Sequence, residues 1–400
     1  MRVWRSAAQG GVLALGLLLV SGCGDGSVCI EGVPCGPVPN YYEAVPGPVQ
    51  SAERFSAAGL GNWHTCMLDS AGAAWCWGSN EYGQLGAATA QRCMDGNVDC
   101  SPVPLRVGGG RSYTALAAGH VQTCALAVDG SAWCWGNGPQ LGDGVNQRSL
   151  LPVAVAGGHR YTQLSSSQHG ALTCGLQADG SPWCWGTGFN YGTTGPDASA
   201  APVRWAAAAT VAWSSLSLGA AHACGLDAAG QAWCVGSNAY GQLGDGGGAS
   251  SRVPVPVAGG RRYVAVAAGA SHSCALEASG QAWCWGFGPA VGDGGDFAQP
   301  RLQPVAVAGA QRFVALAVGA QQSCGLTADG SAWCWGTGGS GLLGDGERVD
   351  RGSPVAVAGG QRWRLIAGGG TATCGITQDG AAWCWGWNEV GGTGRPIVAH

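Results

Sequence analysis

The chain has 400 residues, 10% of them charged, a net charge of −4, and arginine as the only residue among its 19 basic side chains. The absence of lysine excludes Schiff-base chemistry and a lysine-bearing phosphate loop, and the charge balance offers no basic field for nucleic acid. Glycine (74), cysteine (19) and tryptophan (19) are abundant, which points to tight turns, crosslinks and aromatic packing.

In chain order, residues 1–22 place two arginines before an apolar run through Val20 and read as a lipoprotein signal peptide. Val20-Ser21-Gly22-Cys23 resembles the bacterial lipobox, so Cys23 is expected to be lipidated and to anchor the protein without spanning a membrane. Residues 23–50 are rich in glycine and proline and read as a tether, in which Cys29 and Cys35 are expected to close a small loop.

Residues 51–400 are repetitive. Cysteines recur in pairs with nine residues between the members: Cys66 with Cys76, Cys124 with Cys134, Cys174 with Cys184, Cys224 with Cys234, Cys274 with Cys284, Cys324 with Cys334 and Cys374 with Cys384. From the second pair onward the repeats are fifty residues apart, a period that implies a repeat architecture. In His272–Gly286, SCALE faces QAWCW across a bend ending at Gly280, the pattern of a β-hairpin. A three-residue bend sets Cys274 opposite Cys284, within reach of a cross-strand disulfide. Trp283 and Trp285 then project to the other face. Upstream lie an apolar run such as Tyr263–Ala268 and a proline-led run such as Pro304–Ala308, giving about four strands per repeat. Units apolar on both faces suit radial packing, so the expected fold is an all-β, seven-bladed β-propeller, with an open solenoid as the alternative. The proline-led strand belongs at the outer edge. Arg395–Ala399 and Gly47–Gln50 both echo that strand, and the carboxy-terminal echo is the expected ring closure.

After the first hairpin the spacing expands by eight residues and contains Cys93 and Cys100, a further expected pair. One lipidated cysteine, two in the tether, two in the insertion and fourteen in hairpins account for all 19 and indicate an oxidising compartment. Zinc ligation fits less well, because zinc motifs space cysteines two to four apart.

Val266–Leu276 (VAAGASHSCAL), followed by a turn and WCWG, and the later Gly241–Gly246 (GQLGDG), resemble the regulator of chromosome condensation repeat. The resemblance covers about residues 50–400 and implies a seven-bladed propeller. The repeat's histidine is replaced by Gln122, Gln322 and Ala372, and Val235 replaces a tryptophan. The nuclear roles of the family, exchange on a small GTPase and histone binding, conflict with the signal and disulfides. Its secreted bacterial members include propellers that bind and inhibit β-lactamase. Its light-sensing plant members use clustered tryptophans, but here the paired tryptophans recur in every blade and read as core packing.

Candidate chemistry is sparse. His64, His222 and His272 occupy one repeat position, His120 lies nearby, and a role shared across blades reads as structural. Asp143, Asp245, Asp293 and Asp345 each stand alone between glycines and read as turn residues rather than calcium ligands, which need six to eight oxygens. The sequence therefore predicts no catalytic, cofactor or metal residues. The loops after each Trp-Gly vary, and Tyr82, Phe189, Tyr191, Tyr240, Phe287 and Phe297 on them are candidate partner-binding residues. The expectation is a non-enzymatic, lipid-anchored, monomeric scaffold of the cell envelope that binds a protein and no nucleic acid. An extracellular enzyme acting on polysaccharide is the alternative.

Overall fold

The computed structural model describes residues 41–397, apart from residue 95 and 189–197, and the backbone of 21–22 and 28–29. The expected lipidation of Cys23 and the expected Cys29–Cys35 bond, together with Phe189 and Tyr191, lie outside the described residues. The chain forms two units. In one, Ser21–Gly22 pairs antiparallel with Val28–Cys29. The other, residues 41–397, is a ring of seven antiparallel sheets.

Blade 5 shows the plan. Ala265–Ala268 lies innermost, followed by His272–Leu276, Ala282–Gly286 and the outer Arg301–Ala306. The hairpin register sets Cys274 opposite Cys284, and the same pairing recurs in every blade. Each expected hairpin pair is disulfide-bonded within its own blade. Cys66 bonds Cys76, Cys124 bonds Cys134, Cys174 bonds Cys184 and Cys224 bonds Cys234. Cys274 bonds Cys284, Cys324 bonds Cys334 and Cys374 bonds Cys384, with Cα atoms 4.1 Å apart in these three. Blade 1 carries an extra edge strand, Gln91–Cys93, which doubles back on Val98–Arg106 under a Cys93–Cys100 disulfide.

Radial packing explains the composition. The second tryptophan of each WCW, such as Trp285, is fully buried, whereas the first is half-buried. Trp283 and Trp285 of blade 5 pack on the Cys224–Cys234 disulfide of blade 4, so each disulfide is covered by the following blade and the tryptophans face the preceding one. Close approach at the axis demands glycine: a Cβ on Gly219 would come within 2.4 Å of the Gly269 carbonyl oxygen in the next blade.

Closure differs from the sequence expectation. The outer strand of blade 7 is Tyr42–Pro48, paired with Ala382–Trp387, so the amino-terminal echo closes the ring and residues 42–48 of the expected tether belong to it. The carboxy-terminal segment instead lies against this strand. Arg395 crosses Gly47, where any Cβ would collide with its guanidinium, and pairs with Glu43. Asn388 donates to the Glu43 carboxylate at 3.2 Å.

Candidate functional site

Successive strands alternate in direction, so the turns between the first and second strands share one face of the ring with the loops between the third and fourth. This loop face carries the variable aromatic residues, and the blades beneath hold it rigidly.

The histidines contribute to that rigidity. His222 Nε2 lies 2.8 Å from Ser273 Oγ in the next blade. Ser273 donates its hydroxyl proton to the Gln242 carbonyl at 3.0 Å, so it accepts from the imidazole N–H. Trp285 Nε1 donates to the same carbonyl at 2.9 Å, and two donors from blade 5 thus pin a loop of blade 4. The motif recurs as His64–Thr123–Gln84 and His272–Ser323–Ala290. Gln322 replaces the imidazole with an amide donor to Thr373 at 3.2 Å. Burial holds His64 and His222 down at about 3, with His120 and His272 respectively as lesser causes, and burial holds His272 at about 4. These imidazoles are neutral braces between blades, each bonded to a side-chain hydroxyl of the next blade.

The Gly-Asp-Gly aspartates close turns. Asp245 Oδ1 accepts from Gly247 N and Asn238 Nδ2, both at 3.0 Å, and Asp345 also accepts from Arg351 Nε at 2.9 Å on the outer strand. Among the described residues no group of three or more His, Cys, Asp or Glu side chains is placed to hold a metal ion.

Among the described residues, cavities open from the ring, and two of them bear on function. One, of about 280 Å³, lies on the axis and is lined by inner-strand residues of every blade. Gln168 of blade 3 reaches across it, donating to the carbonyls of Leu60 and Gly368 at 3.2 and 2.7 Å in blades 1 and 7. The other, of about 260 Å³, lies on the loop face where blades 7, 1 and 2 meet. Trp63, Tyr82, Met94, Val98, Val121 and Val390 form its apolar wall, with Glu81 and His120 beside them. Trp63 packs edge-on against Trp387, ring centroids 4.7 Å apart. Asn62 Nδ2 donates to His120 Nδ1 at 2.9 Å, which leaves the His120 proton on Nε2.

The sequence candidates do not converge on one site. Tyr82 lines the second cavity. Tyr240 and Phe287 pack together with centroids 5.3 Å apart, forming a separate exposed patch at blades 4 and 5. Phe297 is exposed and lies over Gly352 in the outer strand of blade 6. Sequence reasoning missed Trp63, Met94, Val98, Val121 and Val390. A signal was available: Trp63 and Val121 are large and apolar where the other five aligned repeats carry Ala171, Ala221, Ser271, Gln321 and Thr371.

Fold and site together define a disulfide-stapled β-propeller that presents shaped apolar surface on rigid loops. Five of its repeats contain segments that match the regulator of chromosome condensation (RCC1) repeat. One profile of that repeat matches residues 71–126 and 229–276, and a second matches 56–84, 213–242 and 363–391. Among curated proteins, the chain is similar to the human probable E3 ubiquitin-protein ligase HERC4, at 34% identity over 19% of this chain and 7% of that protein. It is also similar to two Arabidopsis thaliana proteins, the mitochondrial RCC1 domain-containing protein RUG3 (27%, covering 28% and 25%) and the ultraviolet-B receptor UVR8 (31%, covering 24% and 21%). The matches thus span a quarter or less of these relatives. Among solved structures, Prp20p from Saccharomyces cerevisiae superposes with a TM-score of 0.68 at 21% identity, covering 82% of this chain and 81% of that one. Human WBSCR16 superposes with a TM-score of 0.70 at 17% identity, covering 89% and 92%. At such identities the likeness is one of fold.

Proposed function

We propose that the protein is a non-enzymatic, protein-binding scaffold of the bacterial cell envelope, held by lipid on Cys23 with its propeller in an oxidising compartment. The observation that carries the binding role is the loop face, where an aromatic-walled cavity and the Tyr240–Phe287 patch stand on a crosslinked ring. The structure of Prp20p is described with its binding to Gsp1p and histones, which supports a binding use of this fold. The envelope location rests on the amino-terminal sequence and the cysteine pairing.

The test is affinity capture from envelope extracts with the full chain and with a Tyr240→Ala/Phe287→Ala/Tyr82→Ala variant of unchanged melting temperature. A partner held by the parent and lost by the variant supports the scaffold. A partner whose hydrogen-exchange footprint is confined to the outer strands, or turnover of cell-wall polysaccharide by the purified protein, overturns it. For the anchor, Cys23→Ala should move the protein from the membrane to the soluble fraction; a mature protein with an unmodified Cys23 overturns that part.

A further inference from the structure

We infer that the cavity between blades 7, 1 and 2 is an anchor pocket for one aromatic side chain of a partner polypeptide, with an arginine or lysine beside it in the partner's chain. The inference rests on the scaffold reading and names the chemistry that one part of the loop face would recognise.

Size comes first. The cavity is about 260 Å³, at or below the lower end of small-molecule sites, which run to roughly 300–1,000 Å³. An apolar cavity of about 150 Å³ accepts a benzene ring, so this one has room for an aromatic side chain and its adjoining backbone.

The wall supplies the second argument. Trp63, Val98, Val121 and Val390 offer aliphatic and aromatic surface, and Met94 adds a polarisable thioether, which makes favourable contacts with aromatic rings. Met94 is also the one non-glycine residue with positive φ among those described, at 51°. Left-handed backbone is unfavourable for a side chain with a Cβ and persists where the surroundings impose it, commonly at binding sites. Here the imposing structure is the Gln91–Cys93/Val98–Arg106 hairpin, crosslinked by Cys93–Cys100, which no other blade carries among the described residues. The insertion therefore builds one wall of the pocket and fixes it before any partner arrives.

Charge sets the flanking residue. Among the described residues of the lining, Glu81 is the only acidic or basic side chain other than His120. Its carboxylate makes no ion pair or hydrogen bond with the described residues, whereas its backbone carbonyl accepts from Arg148 at 2.9 Å. A cation next to the anchoring ring would meet that carboxylate at the rim; an anion would be repelled.

The test uses the methionines. The chain has three, and Met67 is fully buried in blade 1, so 13C-methyl-methionine labelling gives Met94 as reporter and Met67 as control. The probes are blocked pentapeptides Gly-Arg-Phe-Arg-Gly, Gly-Arg-Ala-Arg-Gly and Gly-Glu-Phe-Glu-Gly, with N-acetylglucosamine as a sugar probe. Expected is a saturable shift of the Met94 methyl with the Arg-Phe-Arg peptide, at least tenfold weaker binding of the other peptides, and an unmoved Met67. Glu81→Gln should weaken binding about threefold to tenfold, and Val121→Trp, which fills the cavity, should abolish it while the Met67 signal reports an intact blade. Met94 unresponsive to the phenylalanine peptide, equally responsive to the alanine peptide, or saturated by the sugar would overturn the proposal. Capture abolished by Tyr240→Ala/Phe287→Ala but unaffected by Val121→Trp would overturn the pocket and leave the scaffold standing. Peptide binding with no captured envelope protein would do the reverse.

Discussion

Trp205 and Val235 meet across the boundary of blades 3 and 4 with their sizes exchanged relative to every other boundary. Elsewhere a valine of the preceding blade meets an indole of the following one, as in Val107 with Trp135, Val257 with Trp285 and Val307 with Trp335. At this boundary the indole comes from the preceding blade and the valine from the following one. The buried brace disappears as well. Leu172 stands where five other boundaries place His or Gln and the boundary of blades 7 and 1 places Ala372. Ala223 stands where every other boundary places Ser or Thr, and both are buried in the same cluster. Four substitutions in two repeats thus replace the buried imidazole–hydroxyl brace at this boundary with apolar packing, while Gln163, Ser165 and Ser167 of blade 3 still bond the inner-strand backbone of blade 4.

The exchange predicts coupled energetics. Val235→Trp should overpack the boundary at a cost of about 1–3 kcal/mol. Trp205→Val should leave a cavity costing about 2–3 kcal/mol. The double variant restores the arrangement of the other boundaries and should fall short of the sum by at least about 1 kcal/mol, measured by urea unfolding as a double-mutant cycle. Strict additivity would show that the two side chains do not complement each other.

The buried histidines predict acid sensitivity. His222 and His272 sit at about 3 and 4 in the fold, below the ordinary 6.5, so the unfolded chain binds protons that the folded chain refuses. Their contribution is whole above pH 6.5 and is lost as pH falls toward those folded values. At pH 5 each should have cost about 2 kcal/mol relative to pH 8, using about 1.4 kcal/mol per pH unit. His222→Gln/His272→Gln keeps a donor at each position, as Gln322 does, and should flatten stability between pH 6.5 and 4. An unchanged slope would refute the account.

Ring closure predicts where truncation begins to matter. Removing residues 1–40 should leave the thermal midpoint unchanged, whereas removing 1–48 should lower it sharply and expose blade 7. Glu43→Ala should cost about 1–2 kcal/mol, between an exposed and a buried ion pair, because Glu43 and Arg395 are each largely buried. Equal melting of the two truncations would exclude Tyr42–Pro48 as the closing strand.

Each hairpin disulfide closes an eleven-residue segment, for which chain entropy suggests about 3 kcal/mol. Cys274→Ala/Cys284→Ala should therefore lower the thermal midpoint without unfolding the ring, since blade 5 keeps both neighbours. Non-reducing peptide mapping should link each cysteine within its own repeat, Cys66 to Cys76 through Cys374 to Cys384, and Cys93 to Cys100. Links between repeats would contradict the hairpin register.

Much of this fold was legible because the constraints repeat. A period of fifty residues, a cysteine pair at hairpin spacing and a tryptophan on each side of the second cysteine state the same unit many times. What breaks the repeat was harder to read. Arg395-Pro396 resembles the outer strand, but Arg395 holds the repeat position of Asp245 and Asp345, still within a loop, and the preceding residues 388–394 are committed to blade 1. There the Gly392 carbonyl accepts from Thr65 and Trp77. Val235 was visible as an exception, but its counterpart Trp205 lies a repeat earlier, and only radial packing brings them together. The pocket was obscure for the same reason: Trp63, Met94, Val121 and Val390 come from four separate loops, and only the expanded spacing with its own cysteine pair marked the place.

The strand that closes the ring has a mechanical consequence. Tension on the chain ahead of Tyr41 enters the propeller through Tyr42–Pro48. Directed along the strand, it loads the contacts from Tyr42 with Trp387 to Pro48 with Trp383 in shear, sharing the force instead of opening them singly. Glu43, held by Arg395, sits near the loaded end. With Cys23 in a membrane and a partner on the loop face, as proposed, this strand is the fuse of the linkage: its release would free blade 7 from its outer edge while seven crosslinked hairpins remained whole.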